Sequence, residues 1–291
     1  MKKNKLVLNL KALLELVKIR ITFAVTLSTL TGFVMYRESL SWESLIPSFG
    51  VFLLAASSSA LNQIQEKKID ALMNRTKHRP LPSSRVSMST ALMVVIFFFL
   101  SGTALLFLRS TFLALLLGWF SFFWYNAVYT PLKRVTVFAV VVGSLIGAIP
   151  PLIGWVAAGG HILAFPALML AFFFYIWQVP HFIMLLLKYG KDYERAGLPS
   201  LTERFYAMQI RRIIFIWITG TATAAFMLPL TGVLKSVQAW IIALILGFML
   251  ITLFLCLLDK RKPFRTGRAF MKVNVFLLLM MLLIIFDSIL A

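Results

Sequence analysis

Residues 45–70 read LIPSFGVFLLAASSSALNQIQEKKID, and a change of character within this stretch decides the fold. Positions 45–64 carry no charge, and about 20 apolar residues are what an α-helix needs to cross a bilayer core. The chain then turns polar, with Asn62, Glu66 and Asp70 at every fourth position. Each four-residue step drifts only about 40° around an α-helix, so the three oxygen-bearing side chains share one face. The stretch predicts a membrane-spanning helix whose end carries a ladder of polar oxygens.

Working outward, further apolar runs occupy 20–37, 90–108, 111–128, 136–158, 162–187, 211–230, 236–258 and 269–290. With 45–64 they predict an all-α polytopic membrane protein, a nine-helix bundle forming a single transmembrane domain over residues 1–291. Composition agrees: 60% hydrophobic and 13% charged residues, with a mean hydropathy of +0.91, against roughly 45–50% and about 25% in soluble domains. Lys2, Lys3 and Lys5 precede the first run as in a signal peptide. However, Lys11, Lys18 and Arg20 intervene and no small-residue cleavage site stands out, so the run reads as a retained helix. The single Cys256 excludes an intrachain disulfide. No internal period repeats cleanly, and no phosphate-binding glycine loop or nucleophile elbow occurs.

A net charge of +19 would suggest nucleic acid if the basic residues formed one patch. Instead they fall in clusters between the apolar runs, so no nucleic-acid partner is expected. Of 29 Lys and Arg, 26 belong to the N-terminus and the connections at 65–89, 129–135, 188–210 and 259–268, with their flanking helix ends. The other side has only Arg37, Arg109 and Lys235. The positive-inside rule makes the N-terminus cytoplasmic and the C-terminus external. The membrane is then the plasma membrane in a bacterium, or the mitochondrial inner membrane in a eukaryote.

The polar chemistry gathers on the basic side, which predicts a cytoplasmic-side active-site cavity. The ladder of Asn62, Glu66 and Asp70 suits a hard cation such as Mg²⁺, which binds through one or two carboxylates plus phosphate oxygens. Arg75 and Arg79 lie one turn further on if the helix continues, and could grip phosphate with forked donors. Alternatively, Glu66 and Asp70 pair with Lys67, Lys68 or Arg75 at a solvated helix end. Asn62, at membrane depth, has no charge to contribute to such a pair. A second segment, Lys188-Tyr-Gly-Lys191-Asp192-Tyr193-Glu194-Arg195, emerges on the same side. Facing the first across the bundle, it would complete a metal–diphosphate site. Lys133 and Arg134 are either diphosphate ligands or simple positive-inside charges. His181, beside Pro180 in a predicted span, is either a site residue or a histidine satisfied by a neighbouring carbonyl. Gly143, Gly147, Pro150, Pro151 and Gly154 need no more than close helix packing and kinking.

Asn62-x-x-x-Glu66-x-x-x-Asp70-x-x-Met73-x-Arg75-Thr76-x-x-Arg79-Pro80 resembles the first acidic motif of the UbiA-type intramembrane prenyltransferases. Leu132-Lys133-Arg134-x-Thr136, Gly147-Ala148-Ile-Pro150-Pro151-Leu-Ile-Gly154-Trp155, Trp177-Gln178-x-Pro180-His181-Phe182 and Asp192-Tyr193-x-x-Ala196-Gly197-x-Pro199 are similar to its protoheme IX farnesyltransferase (heme O synthase) branch. The resemblance runs in order from Lys18-x-Arg20 to at least Gln209. Departures from the family pattern are Ile19 for Pro, Ala139 for Asn, Asn274 for Ser and Phe276 for Tyr, with Lys188 where many members carry a further acid.

The resemblance implies farnesyl diphosphate as donor and the heme B vinyl group as acceptor, with membrane lipid around the prenyl tail. Glu66, Asp70 and Asp192 would hold Mg²⁺, with Asn62 supporting the first motif. Arg75, Arg79, Lys133, Arg134 and Lys191 would neutralise the diphosphate. Tyr125, Tyr129 or Trp177 would stabilise an allylic cation, and His181 would contact the heme. A heme A synthase or oxidase-assembly partner follows only through the family. The competing expectations are a prenyltransferase with another aromatic or tetrapyrrole acceptor, a membrane transporter, and a non-catalytic heme-handling protein.

Overall fold

The computed structural model describes residues 10–261 and 264–291; Lys2, Lys3 and Lys5 lie outside them. Among the described residues, nine helices are long and apolar enough to cross a membrane. They are α1 (Ile19–Arg37), α2 (Trp42–Leu72), α3 (Met88–Arg109), α4 (Phe112–Phe123), α5 (Ala139–Ala157), α6 (Phe165–Lys188), α7 (Ala207–Met227), α8 (Val237–Phe254) and α9 (Thr266–Leu290). The α4 span continues through a π-helical turn, Trp124–Tyr129, and a short turn, Thr130–Leu132, while α8 ends in a 3₁₀ turn, Leu255–Leu258.

Every predicted run is present, with shifted ends. The largest shift is in α2, which continues two turns past position 64, so Glu66 and Asp70 are helical rather than part of a 65–89 loop. It stops at Leu72, where Met73 turns extended (φ −95°, ψ 130°). The continuing helix that would have aligned Arg75 and Arg79 with the ladder does not exist. Helix starts follow local capping: the Ser87, Thr111 and Ser236 hydroxyls accept from the N–H groups of Thr90, Ala114 and Ala239.

Helix α1 packs against α2, α5 and α9; α6 packs against α5, α7 and α9. Small residues permit the closest of these approaches. A Cβ on Gly154 would lie 1.9 Å from the Thr29 carbonyl oxygen, and one on Gly32 the same distance from that of Pro151. Thus α1 and α5 touch backbone to backbone. The outer faces, including Phe97, Phe107, Ile245 and Phe248, are exposed apolar surface. Several hydroxyls within the spans are satisfied locally, as when Thr26 and Thr31 donate to carbonyls four residues earlier, while the Ser57 hydroxyl crosses to the Val95 carbonyl of α3 at 2.7 Å.

The bundle has two polar ends. At one, Lys235 pairs with Glu38, and the buried Asp287 carboxylate accepts from the Lys235 and Ser236 N–H groups at 2.6 and 3.1 Å. Arg37 and Arg109 close helices at this same end. The opposite end holds the acidic ladder.

Candidate active site

One face of the outer turns of α2 is covered by the protein: Glu66 is 4% exposed and Asp70 2%. Neither pairs with Lys67, Lys68 or Arg75 at a solvated helix end. Glu66 Oε1 lies 2.5 Å from Lys133 Nζ, contributed by the connection after α4. Both Asp70 oxygens accept from Arg79 Nη1, at 2.9 and 2.8 Å. Arg79 gets there because the chain reverses beyond Met73, through turn bonds from Lys77 N–H to Met73 and from Arg79 N–H to Thr76. The Thr76 hydroxyl ties this turn to the Asp70 carbonyl at 2.9 Å. A helical extension would have carried Arg79 away from Asp70; the reversal returns it.

Asp192 comes from the short helix Gly190–Arg195 after α6. Its carboxylate accepts from the backbone N–H groups of Asn74 and Arg75 at 3.2 and 3.0 Å. The two acidic segments therefore meet, with Asp192 latched to the turn that follows α2. The Arg75 guanidinium lies 4.4 Å from the centroid of the Tyr189 ring, and its Nε is buried with no hydrogen-bond acceptor among the described residues. Two expected phosphate ligands stand apart from this group. Arg134 is exposed and donates to the Gln65 carbonyl at 2.9 Å. Lys191 is exposed, with no hydrogen bond or ion pair to an acid of the site among the described residues. No three His, Cys, Asp or Glu side chains among those residues converge as a ready-made metal cluster.

Asn62, the innermost rung, donates from Nδ2 to the Thr130 hydroxyl at 3.1 Å and accepts at Oδ1 from Lys18 Nζ at 2.7 Å. Lys18 also lies 3.4 Å from the Tyr125 hydroxyl. Burial, reinforced by the Arg79 charge, lowers its ammonium pKa to about 7. Sequence reasoning missed this role, since Lys18 stands there only as a basic residue before a span and as the start of the resemblance.

The aromatic candidates form one continuous run of rings. Tyr125 stacks on Tyr129 and Tyr129 on Phe182, each at 5.6 Å between centroids. Phe182 contacts His181 at 5.6 Å, and His181 contacts Trp177 at 4.9 Å and Phe270 at 4.8 Å. The π-helical turn contains both tyrosines, consistent with the frequent placement of such bulges at functional sites. The Trp177 indole N–H is committed to the Val273 carbonyl at 2.9 Å, tying α6 to α9, whereas His181 Nδ1 is buried with no hydrogen-bond partner among the described residues. Phe182 is the link that spacing alone did not single out. From Lys18 and Tyr125 an apolar cleft runs inward between α1, α2, α4 and α5. It runs past Val25, Leu54, Ile146 and Ile153.

A polar anion-and-cation site thus caps an apolar cleft within a helical bundle. Residues 25–279 match the UbiA prenyltransferase family, and the chain belongs to that family as an integral, multi-pass membrane protein. The protoheme IX farnesyltransferase of Geobacter sulfurreducens is 40% identical over 219 residues, covering 72% of this chain and 80% of its own. That of Oleidesulfovibrio alaskensis is 32% identical over 291 residues, covering 96% of each chain. The fold is shared with a structure described as digeranylgeranylglyceryl phosphate synthase in membranes, at TM-score 0.77 and 18% identity over 97% of this chain and 99% of that one. It is shared too with a UbiA homologue from Archaeoglobus fulgidus bound to GPP and Mg²⁺, at TM-score 0.67 and 15% identity over 96% and 100% of the two chains.

Proposed function

We propose that this protein transfers the farnesyl group of farnesyl diphosphate to a vinyl group of heme B, with addition of water, giving heme O. The observation that carries the reading is the pair of buried carboxylates, Glu66 and Asp70, each matched to a cation at the mouth of an apolar cleft. Protoheme IX farnesyltransferases matching most of the chain support the same acceptor and donor.

The donor set suits Mg²⁺: hard carboxylate oxygens one helical turn apart, with basic groups that phosphate oxygens can engage instead. In this reading Glu66 and Asp70 hold the ion, Asp192 adds a carboxylate from across the cavity, and Asn62 supports the first motif. When bound, Mg²⁺ supplies Lewis-acid neutralisation of the diphosphate. Arg75, Arg79 and Lys133 then face the phosphate oxygens, and the orphaned Arg75 Nε gains an acceptor. Arg134 and Lys191 join them only if their side chains swing inward. As the C1–O bond breaks, its electron pair passes to the diphosphate, where these cations stabilise it. The ring run from Tyr125 to Trp177 shields the allylic cation, at about 0.5–2 kcal/mol for a well-placed ring. The vinyl terminal carbon bonds to farnesyl C1, and water adds at the neighbouring carbon with loss of a proton. The uncommitted His181 Nδ1 is the group proposed to contact the heme, while the cleft takes the farnesyl chain beside membrane lipid.

The proposed organisation is one transmembrane domain over residues 1–291, its N-terminus cytoplasmic and its C-terminus external. The product would pass to a heme A synthase or an oxidase-assembly partner. The test is mass spectrometry of pigments after incubating purified protein with heme B, farnesyl diphosphate and Mg²⁺. The expected product is heme carrying farnesyl plus water, absent with EDTA and with Asp70→Ala. Diphosphate release with unchanged heme overturns the acceptor. Consumption of neither substrate by folded protein favours the transporter or heme-handling expectation.

A further inference from the structure

We infer that Lys18 is a catalytic residue whose ammonium binds the diphosphate end of the donor at the neck between the acidic ladder and the apolar cleft. The inference rests on the prenyl-diphosphate reading above and gives a role to a group at the start of the resemblance to which the sequence analysis assigned none.

Four observations carry it. First, Lys18 occupies the boundary itself: it lines the cleft, and its Nζ bonds the innermost rung of the ladder, Asn62 Oδ1, at 2.7 Å. A prenyl diphosphate lying with its chain in the cleft and its charge among Glu66, Asp70, Arg79 and Lys133 must pass this point at its C1–O bond. Second, the ammonium is turned inward with only neutral partners, the Asn62 amide and the Tyr125 hydroxyl. Lys18 forms no ion pair among the described residues, whereas Lys133 and Arg79 each hold a carboxylate. A cation removed from water is costly until an anion joins it, so the site is poised for a negative ligand.

Third, the backbone is held in an unfavourable conformation to place this side chain. Lys18 has φ 50° and ψ 52°, left-handed geometry that a lysine rarely adopts. Fourth, the conformation is enforced from several directions. The Gln63 side-chain amide donates to the carbonyls of Glu15 and Leu16, both at 2.9 Å, and the Thr22 hydroxyl donates to the Val17 carbonyl at 2.7 Å. Leu16 is fully buried beside Leu81, and Arg85 pairs with Glu15. Gln63 adjoins Asn62, so consecutive residues of α2 hold the turn that presents Lys18 and the side chain itself.

The chemistry needs no proton transfer. The C1–O bond breaks heterolytically, the electron pair goes to the departing phosphate oxygen, and a protonated Lys18 donates a hydrogen bond to that oxygen. This interaction strengthens as the charge develops, so it acts on turnover more than on substrate capture.

The experiment compares wild type, Lys18→Met and Lys18→Arg in turnover of farnesyl diphosphate with heme B and Mg²⁺, alongside thermal unfolding. The expected result is a kcat for Lys18→Met lower by about 100-fold or more, with a much smaller change in the KM for farnesyl diphosphate. Lys18→Arg should recover to within about tenfold of wild type, because it keeps the charge. A Lys18→Met enzyme within about threefold of wild type overturns the assignment. So does a loss that tracks a lowered Tm, or one that Lys18→Arg does not relieve. If the wild type makes no farnesylated heme, the broader reading fails, and titration with inorganic pyrophosphate and Mg²⁺ decides on Lys18 separately. Wild type should then bind about tenfold more tightly than Lys18→Met, and equal affinity overturns the assignment.

Discussion

Gly143, on α5, bears directly on the ring run, and replacing it by alanine tests whether ring placement matters for the reaction. A Cβ there would lie 2.4 Å from Tyr129 Cδ2 and 2.6 Å from Cε2. Carbon atoms settle about 3.5–4 Å apart, so the ring must retreat by about 1 Å or α5 must move away. Either response disturbs the Tyr129–Phe182 stack, whose planes lie 11° apart, and the placement of Lys133 Nζ, 5.7 Å from the Tyr129 ring centroid. Overpacking of this kind costs about 1–3 kcal/mol in stability. A displacement of about 1 Å at reacting groups costs on the order of 10²-fold in rate. The assay is product formation from farnesyl diphosphate and heme B, with Tm measured on the same preparations. Gly220→Ala is the control, because its new Cβ would meet only Ile176 Cγ2 at 3.6 Å, an ordinary contact. That substitution should leave turnover unchanged and Tm equal or slightly higher, since alanine is the better helix former. A Gly143→Ala enzyme with full turnover refutes the argument that the Tyr129 ring position matters.

Glu66→Gln should leave Lys133 charged and largely enclosed with no counter-ion, costing about 3 kcal/mol and lowering Tm by several degrees. Adding Lys133→Met should restore most of that stability without restoring turnover; an unchanged Tm in Glu66→Gln shows the pair to be energetically idle. With Lys18 near pH 7, where burial, Arg79 and Lys133 outweigh the opposing pull of Glu66 and Asp70, kcat/KM should fall above about pH 7. Lys18→Arg should flatten that limb. Linkage gives stability the opposite slope: between about 7 and the ordinary lysine value of 10.5 the unfolded chain binds more protons, so resistance to unfolding should rise with pH. A falling Tm over that window contradicts the burial of the ammonium.

The spans and the ladder are legible because both are local. Hydropathy over about 20 residues identifies a crossing, and helical periodicity puts Asn62, Glu66 and Asp70 on one face whatever surrounds them. The Pro180–His181 pair can be nominated for the same reason, from residue type at membrane depth, whereas Tyr125 and Tyr129 enter only through what the resemblance implies. The ends were less legible. Thus α2 runs to Leu72 because the face of its last turns that carries Glu66 and Asp70 is covered by the rest of the protein, although the sequence there is highly charged. The α7 helix starts at Ala207, where Tyr206 N–H bonds the Gln209 side chain at 2.9 Å, a capping arrangement that the apolar run does not reveal.

Only the tertiary structure decided which cation serves which acid. Arg79 meets Asp70 through a chain reversal; Lys133 meets Glu66, and Lys18 meets Asn62, because separate elements converge on the end of α2. The backbone contact of α1 with α5, permitted by Gly32 and Gly154, sets how α1 sits beside the cleft that Lys18 lines. Arg134 and Lys191, chosen from charge and neighbourhood, point elsewhere for the same reason. The sequence by itself determined a nine-span bundle with most of its acids and most of its basic residues toward one end. Turn-by-turn helix geometry and hydropathy need no distant partner, whereas side-chain pairing between helices depends on how closely those helices pack.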